Sequence, residues 1–303
     1  MLYNVDLPGD WGSVQTLPTI TFTAETLAMA DGCKLFLRGW KTESRDVLLL
    51  MHGLGAHGGW FIDMGNALAA RGLSVYTIDH RGFGRSEGLP GHIERAGQYI
   101  TDLAAVVTEI RARHASEDAP TRLYVLGHSM GGIFATHLAV KYSALLDGVL
   151  LLNPWVQDSA KVPLGMTMGI FGGGLARSQR RWRTPGGTDG MTTNPEAIKM
   201  LEADPYWRRE LTANFLFEIF RMRVQVLKLA ARITLPALVM QAEQDKSVIA
   251  SATRRLYETL GSHDKTWKAY PTYAHDSELE ADRTQMDQDI VEWIQAQARE
   301  QAP

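Results

Sequence analysis

The chain has 303 residues, 45% of them apolar and 21% charged, with a net charge of −3 and a pI near 6.3. That balance provides no field to gather nucleic acid, no stretch reaches the ~18 apolar residues of a membrane span, and the single cysteine, Cys33, excludes an internal disulfide. The first residues, Met1 to Asp6, lack the basic and apolar regions of a secretory leader, so a cytoplasmic protein is expected.

Phe22 to Ala28 and Lys34 to Trp40 flank Asp31-Gly32 and read as an antiparallel hairpin, with Cys33 as a small buried side chain beside the turn. Val47 to Met51, Leu73 to Ile78, Leu123 to Leu126, Val149 to Leu152 and Ala237 to Met240 are short continuous apolar runs. Such runs suit strands covered on both faces. Thr266 to Tyr270 reads as the last strand. Helical spacing lies between them, in Ile100, Leu103, Val107 and Ile110, in Ala252, Leu256 and Leu260, and in the closing stripe of Met286, Ile290, Trp293 and Ile294. The predicted fold class is α/β, a mostly parallel central sheet with helices on both faces.

The alternation stops between Asn153-Pro154 and Leu235-Pro236. Residues 154–235 are expected to form a helical cap inserted into a core made of 1–153 and 236–303. Within it lie a Gly- and Met-rich piece, Pro163 to Gly174, with Gly172 to Gly174 read as a mobile hinge, then the basic run Arg177 to Arg183 and one apolar helix from about Leu211 to Leu229. An insertion at the carboxyl edge of such a sheet would cover the place where ligands of open α/β folds bind.

That edge carries the most informative motif. Gly127-His128-Ser129-Met130-Gly131 follows the run Leu123 to Leu126 and precedes a helical stretch, so it reads as strand, sharp turn and helix with a serine at the turn. Small residues two before and two after the serine let the backbone turn without clashing and leave the hydroxyl exposed. A hydroxyl needs a base to take its proton, and the base needs an acid to hold its tautomer. In the order serine, acid, histidine, Asp245 follows the strand Ala237 to Met240 and His275 follows Thr266 to Tyr270; Glu243 competes for the acid's place. Oxyanion donors should be the N–H of Met130, at the start of a helix, and that of Leu54, in the loop His52-Gly53-Leu54-Gly55.

His52-Gly53-Leu54-Gly55, Asp79 to Gly88, Gly127 to Gly132, Asp245 and His275 together resemble the monoacylglycerol lipase and lysophospholipase branch of the α/β-hydrolases. The resemblance spans about residues 24 to 295 and includes Asn194-Pro195-Glu196 and Ala203-Asp204-Pro205 in the insertion. It implies that Ser129, Asp245 and His275 form a triad, that Leu54 and Met130 supply oxyanion N–H groups, and that the cap admits an acyl chain. Asp79 to Gly88 is expected to brace the fold.

For the acyl chain, the candidate wall is Met166, Met168, Ile170, Phe171, Phe215, Leu216, Ile219 and Phe220; His52, which ends a strand and reads as shaping its loop, is added as a substrate contact. The arginines from Arg177 to Arg183 read as a solvated face that could also meet an anionic membrane surface transiently. No metal-ligand spacing, phosphate loop or dinucleotide fingerprint appears, so no cofactor is implied. The expected partner is a small-molecule acyl ester or lipid. Rival readings are an acyltransferase using the same three residues and a non-catalytic ligand-binding homologue.

Overall fold

The computed structural model describes residues 19–116, 120–159, 163–184 and 187–300; Met1 to Asp6 lies outside the described residues. In chain order the strands are β1 (Thr21–Ala28), β2 (Lys34–Lys41), β3 (Asp46–Met51), β4 (Ser74–Ile78), β5 (Arg122–His128), β6 (Gly148–Leu152), β7 (Arg181–Arg183), β8 (Glu210–Thr212), β9 (Ala237–Ala242) and β10 (Lys265–Tyr270). The helices are α1 (Ile62–Ala70), α2 (Gly97–Arg113), α3 (Met130–Lys141), α4 (Leu164–Leu175), α5 (Pro195–Ala203), α6 (Ala213–Arg223), α7 (Val226–Ala230), α8 (Ala250–Thr259) and α9 (Thr284–Glu300). None of the described helices is long and apolar enough to cross a membrane.

Eight strands form one sheet in the order β1-β2-β4-β3-β5-β6-β9-β10, antiparallel in β1 to β2 and β2 to β4 and parallel elsewhere. The continuous apolar runs are explained by two cores, one on each face. Val47, Leu49, Val125 and Val149 join residues of α2 and α3 on one side. Their neighbours Leu48, Leu50, Leu126 and Leu150 join residues of α1 and α9 on the other, as the two-residue period of a strand requires. Because β3, β5, β6, β9 and β10 run parallel, the loops carrying Leu54, Ser129, Asn153, Asp245 and His275 all emerge at one edge.

The segment between β6 and β9 differs from the sequence reading in two ways. Gly172 to Gly174, read as a hinge or loop, lies within α4, where Gly173 and Gly174 allow close packing on α6. A Cβ at Gly174 would stand 2.3 Å from the Cβ of Phe217, and one at Gly173 2.6 Å from that of Ala213. The span Leu211 to Leu229 is not one helix. Leu211 pairs with Trp182 in a small antiparallel β7–β8 sheet, the Thr212 hydroxyl accepts from the Phe215 N–H (3.2 Å) to start α6, and α7 follows separately. The arginine run, read as a solvated face, is in part the strand β7, with exposed arginines on either side of Trp182. Cys33, expected to be buried, is half-buried.

Candidate active site

The turn after β5 holds Ser129 at φ 52° and ψ −111°, a left-handed conformation that costs a non-glycine residue of order 1–3 kcal/mol. Its neighbours explain why the turn is so tight. A Cβ at Gly127 would lie 2.2 Å from the Gly131 carbonyl oxygen, and one at Gly131 2.2 Å from that of Met51. The Ser129 N–H donates to the Leu152 carbonyl (3.1 Å), and its own carbonyl accepts from Trp155 (3.0 Å), which ties the turn to the end of β6.

The structure brings Ser129, His275 and Asp245 into one hydrogen-bonded line. His275 Nε2 lies 3.0 Å from Ser129 Oγ and His275 Nδ1 lies 2.7 Å from Asp245 Oδ2. The other Asp245 oxygen accepts the N–H groups of Ser247 (2.7 Å) and Val248 (2.9 Å), so the carboxylate cannot rotate freely. Glu243, the rival acid, is exposed, and its backbone N–H is spent on the Tyr270 carbonyl. Burial pushes the His275 imidazole toward lower pKa, but the Asp245 carboxylate against it outweighs burial, and the net direction is up from 6.5.

Leu54 lines the same cavity as the serine, and Met130, the next residue after the serine in the chain, opens α3. The Leu54 loop runs against the elbow, since a Cβ at Gly53 would stand 3.3 Å from Ser129 Cβ. His52, named from sequence as a substrate contact, is fully buried off the cavity wall and has another task. Its Nε2 accepts the His80 N–H (3.0 Å), so the proton is on Nδ1, which donates to the Gly53 carbonyl (2.8 Å). That bond fixes the plane of the trans Gly53–Leu54 peptide and turns the Leu54 N–H away from the ring. Burial holds His52 down at about 4, so it stays neutral and keeps this tautomer. Asp79, in the bracing segment, takes the Arg38 guanidinium (2.7 Å) and the N–H groups of Gly58 and Arg85 (both 2.8 Å).

Ser129 and His275 face a cavity of about 620 Å³. Met166, Ile170, Phe171, Leu216 and Phe220 form its apolar wall; Phe215 and Ile219 do not reach it. Those two point to the other side of α6 and are fully buried, Phe215 against the rings of Phe83 and Tyr99. Met168 is exposed. The periodicity of α6 shows that it has an apolar stripe but not which part meets the cavity, hence the one-residue slip from 215 and 219 to 216 and 220.

Several residues of the site carry no sequence signal of their own. Asn153, at φ 43°, donates through Nδ2 to the His275 carbonyl (2.7 Å) and Ser277 Oγ (2.9 Å) and accepts the Ala242 N–H (2.7 Å). It links the ends of β6 and β9 to the histidine loop. Trp155 lies on the cavity wall and is covered by the Arg223 guanidinium, 5.0 Å from its ring centre, which pairs with Asp158. Asn153-Pro154 directly after a buried strand at the carboxyl edge was the available hint.

Beneath His275 lies a buried acidic patch. Burial raises Asp276 to about 7 and Glu278 well above the usual carboxylate range. His128 Nε2 and the His275 carbonyl lie 3.0 Å apart, and burial keeps the His128 ring neutral. Among the described residues, His128, His275 and Asp276 are close enough to share a metal ion, yet both ring nitrogens of His275 are already engaged by Ser129 and Asp245.

The sheet order, the strained serine and the histidine at its hydroxyl define an α/β-hydrolase. Residues 42–282 match the family described as serine aminopeptidase, S33. The chain is 26% identical over 283 residues to the monoacylglycerol lipase of Mycolicibacterium smegmatis, covering 90% of this chain and 97% of that one. It is 27% identical over 254 residues to the mouse monoglyceride lipase, covering 82% of each. The crystal structure of Paleococcus ferrophilus monoacylglycerol lipase superposes with a TM-score of 0.77 at 24% identity, covering 87% of this chain and 99% of that one. The chain belongs to this α/β-hydrolase family, in its monoacylglycerol lipase-like branch, and is a carboxylic ester hydrolase.

Proposed function

We propose that the protein cleaves monoacylglycerols or similar esters of medium to long acyl chains through an acyl-enzyme on Ser129. The observation that carries this reading is the line Asp245–His275–Ser129 at the floor of a cavity with an apolar wall. His275 accepts the Ser129 proton as the hydroxyl attacks the ester carbonyl, and Asp245 holds the ring with Nδ1 protonated. The N–H groups of Leu54 and Met130 take the oxyanion. His275 then protonates the leaving alcohol, and water activated by the same ring releases the acid.

Residues 154–235 are read as a cap over this site. Leu164, Met168 and Leu175 are exposed on α4, a helix with no charged residue, and the arginines of the 177–183 run follow directly. This juxtaposition supports transient contact of the cap with a lipid surface, through apolar insertion with a basic rim. Hydrolysis of a series of p-nitrophenyl and monoacylglycerol esters tests the pocket. Turnover should rise with acyl length from acetate to medium chains, and a sharp preference for acetate overturns the acyl-pocket reading.

The base must be neutral to work. With its pKa raised above 6.5, His275 is protonated over a wider acid range than a free imidazole, so kcat/KM for a neutral ester should fall on an acid limb lying above 6.5. Asp276, raised to about 7 by burial beside it, titrates in the same interval, and the limb therefore belongs to both groups. Removing the Asp245 charge leaves burial in control and should move the limb to lower pH. A limb that stays in place in Asp245→Asn assigns it to Asp276 and not to His275.

A further inference from the structure

The insert grips the core at the loop that carries Leu54. Asp204, at the carboxyl end of α5, accepts through Oδ2 from the Trp60 indole N–H (2.7 Å) and from His57 Nε2 (2.8 Å), and through Oδ1 from the Tyr206 N–H (2.8 Å). His57 Nδ1 accepts the Gly59 N–H (3.0 Å), so the ring proton is on Nε2 and is given to Asp204. Four residues further on, the Arg208 N–H donates to the Gly55 carbonyl (2.8 Å). Gly55 sits at φ 76° with its Cα pressed against that strand of chain: a Cβ there would lie 2.5 Å from the Arg208 carbonyl oxygen.

Packing follows the same line. Ala56 and Trp60 from the core, Ala197 and Leu201 from α5, and Leu279 from the histidine loop form an apolar cluster separate from the two sheet cores. The Leu54 peptide thus lies between two anchors, His52 on its amino side and the Asp204–Arg208 segment on its carboxyl side. The first anchor belongs to the core and the second to the insert.

We propose that Asp204 is a positioning residue for the oxyanion hole, holding the Leu54 loop through His57, Trp60 and the adjoining Arg208–Gly55 hydrogen bond. The inference rests on the reading of Leu54 as an oxyanion donor. A hydrogen bond to a developing charge weakens steeply with angle and distance, so a loop released on one side loses transition-state stabilisation before it loses substrate affinity. Trp207, between Asp204 and Arg208, lines the cavity, so one clamp holds both a wall of the ligand site and the donor of the oxyanion hole.

A matched pair of substrates, an ester and the thionoester in which sulfur replaces the carbonyl oxygen, gives a readout that a merely structural role would not move. Sulfur accepts hydrogen bonds weakly, so its turnover depends little on the aim of the N–H groups. Asp204→Ala should lower kcat on the ester about 10- to 100-fold, short of the ~10²–10³ expected for a deleted donor, with KM little changed. The ester-to-thionoester ratio should fall by nearly the same factor, about 10- to 100-fold. Trp60→Phe, which removes one donor to Asp204 and keeps the packing, should shift the ratio the same way by less, and serves if Asp204→Ala does not fold. Equal losses on both substrates, or a loss confined to KM, overturn the proposal. Retained turnover in Ser129→Ala instead overturns the underlying mechanism, so the two failures are distinct.

Discussion

Ser129→Ala is expected to lower ester turnover by about 10⁴-fold or more while leaving the melting temperature unchanged. The hydroxyl has a base at hydrogen-bond distance, His275 Nε2 at 3.0 Å. The turn that presents it is held by other atoms: the Ser129 N–H and carbonyl bonds to Leu152 and Trp155, and the close approach of Gly127 and Gly131. Alanine has the same backbone restrictions as serine and keeps all of these. A fluorophosphonate should label the parent protein once, on the peptide containing Ser129, and should not label the variant. Undiminished turnover by folded Ser129→Ala would remove the acyl-enzyme from the mechanism.

The second large effect is expected at the acid. Asp245→Asn should cost about 10³- to 10⁴-fold in kcat, whereas Glu243→Gln should cost little. The reason is the tautomer of His275. The Ser247 and Val248 N–H groups hold one oxygen at position 245, so an asparagine must turn its amide nitrogen toward His275 Nδ1. Nδ1 then becomes an acceptor, the proton moves to Nε2, and the ring can no longer take a proton from Ser129. Glu243 has no such connection, being exposed two residues earlier. A comparison of kcat for the two variants decides the acid, and a larger loss in Glu243→Gln would reverse the assignment.

Much of this arrangement is legible in the chain because it depends on local rules. The runs around Leu48, Tyr76, Val125, Leu150 and Val239 mark strands buried on both faces, and each becomes an inner strand of the sheet. The elbow is a steric statement about Gly127 and Gly131, readable as soon as a strand is seen before it. Asp245 and His275 are placed by counting from the ends of their strands, and the structure brings both to Ser129. The segment between β6 and β9 is less legible. The glycines of α4 look like a hinge because intrinsic propensity counts against them, while the close approach of Phe217 and Ala213 that makes them useful is a tertiary contact.

The sequence by itself determined the alternation of strands and helices in the central sheet, the tight turn at Ser129 and the residue types able to work with it, since these depend on periodicity and on sterics within a few residues. Only the tertiary structure decided which side chains of α6 face the cavity, that Asn153 ties the histidine loop to the sheet, and that His52 and Asp204 hold the Leu54 loop from opposite sides. Those partners are 1 to 147 positions apart in the chain. Their meeting follows from the parallel sheet gathering its loops at one edge, where a segment inserted after β6 folds back over them.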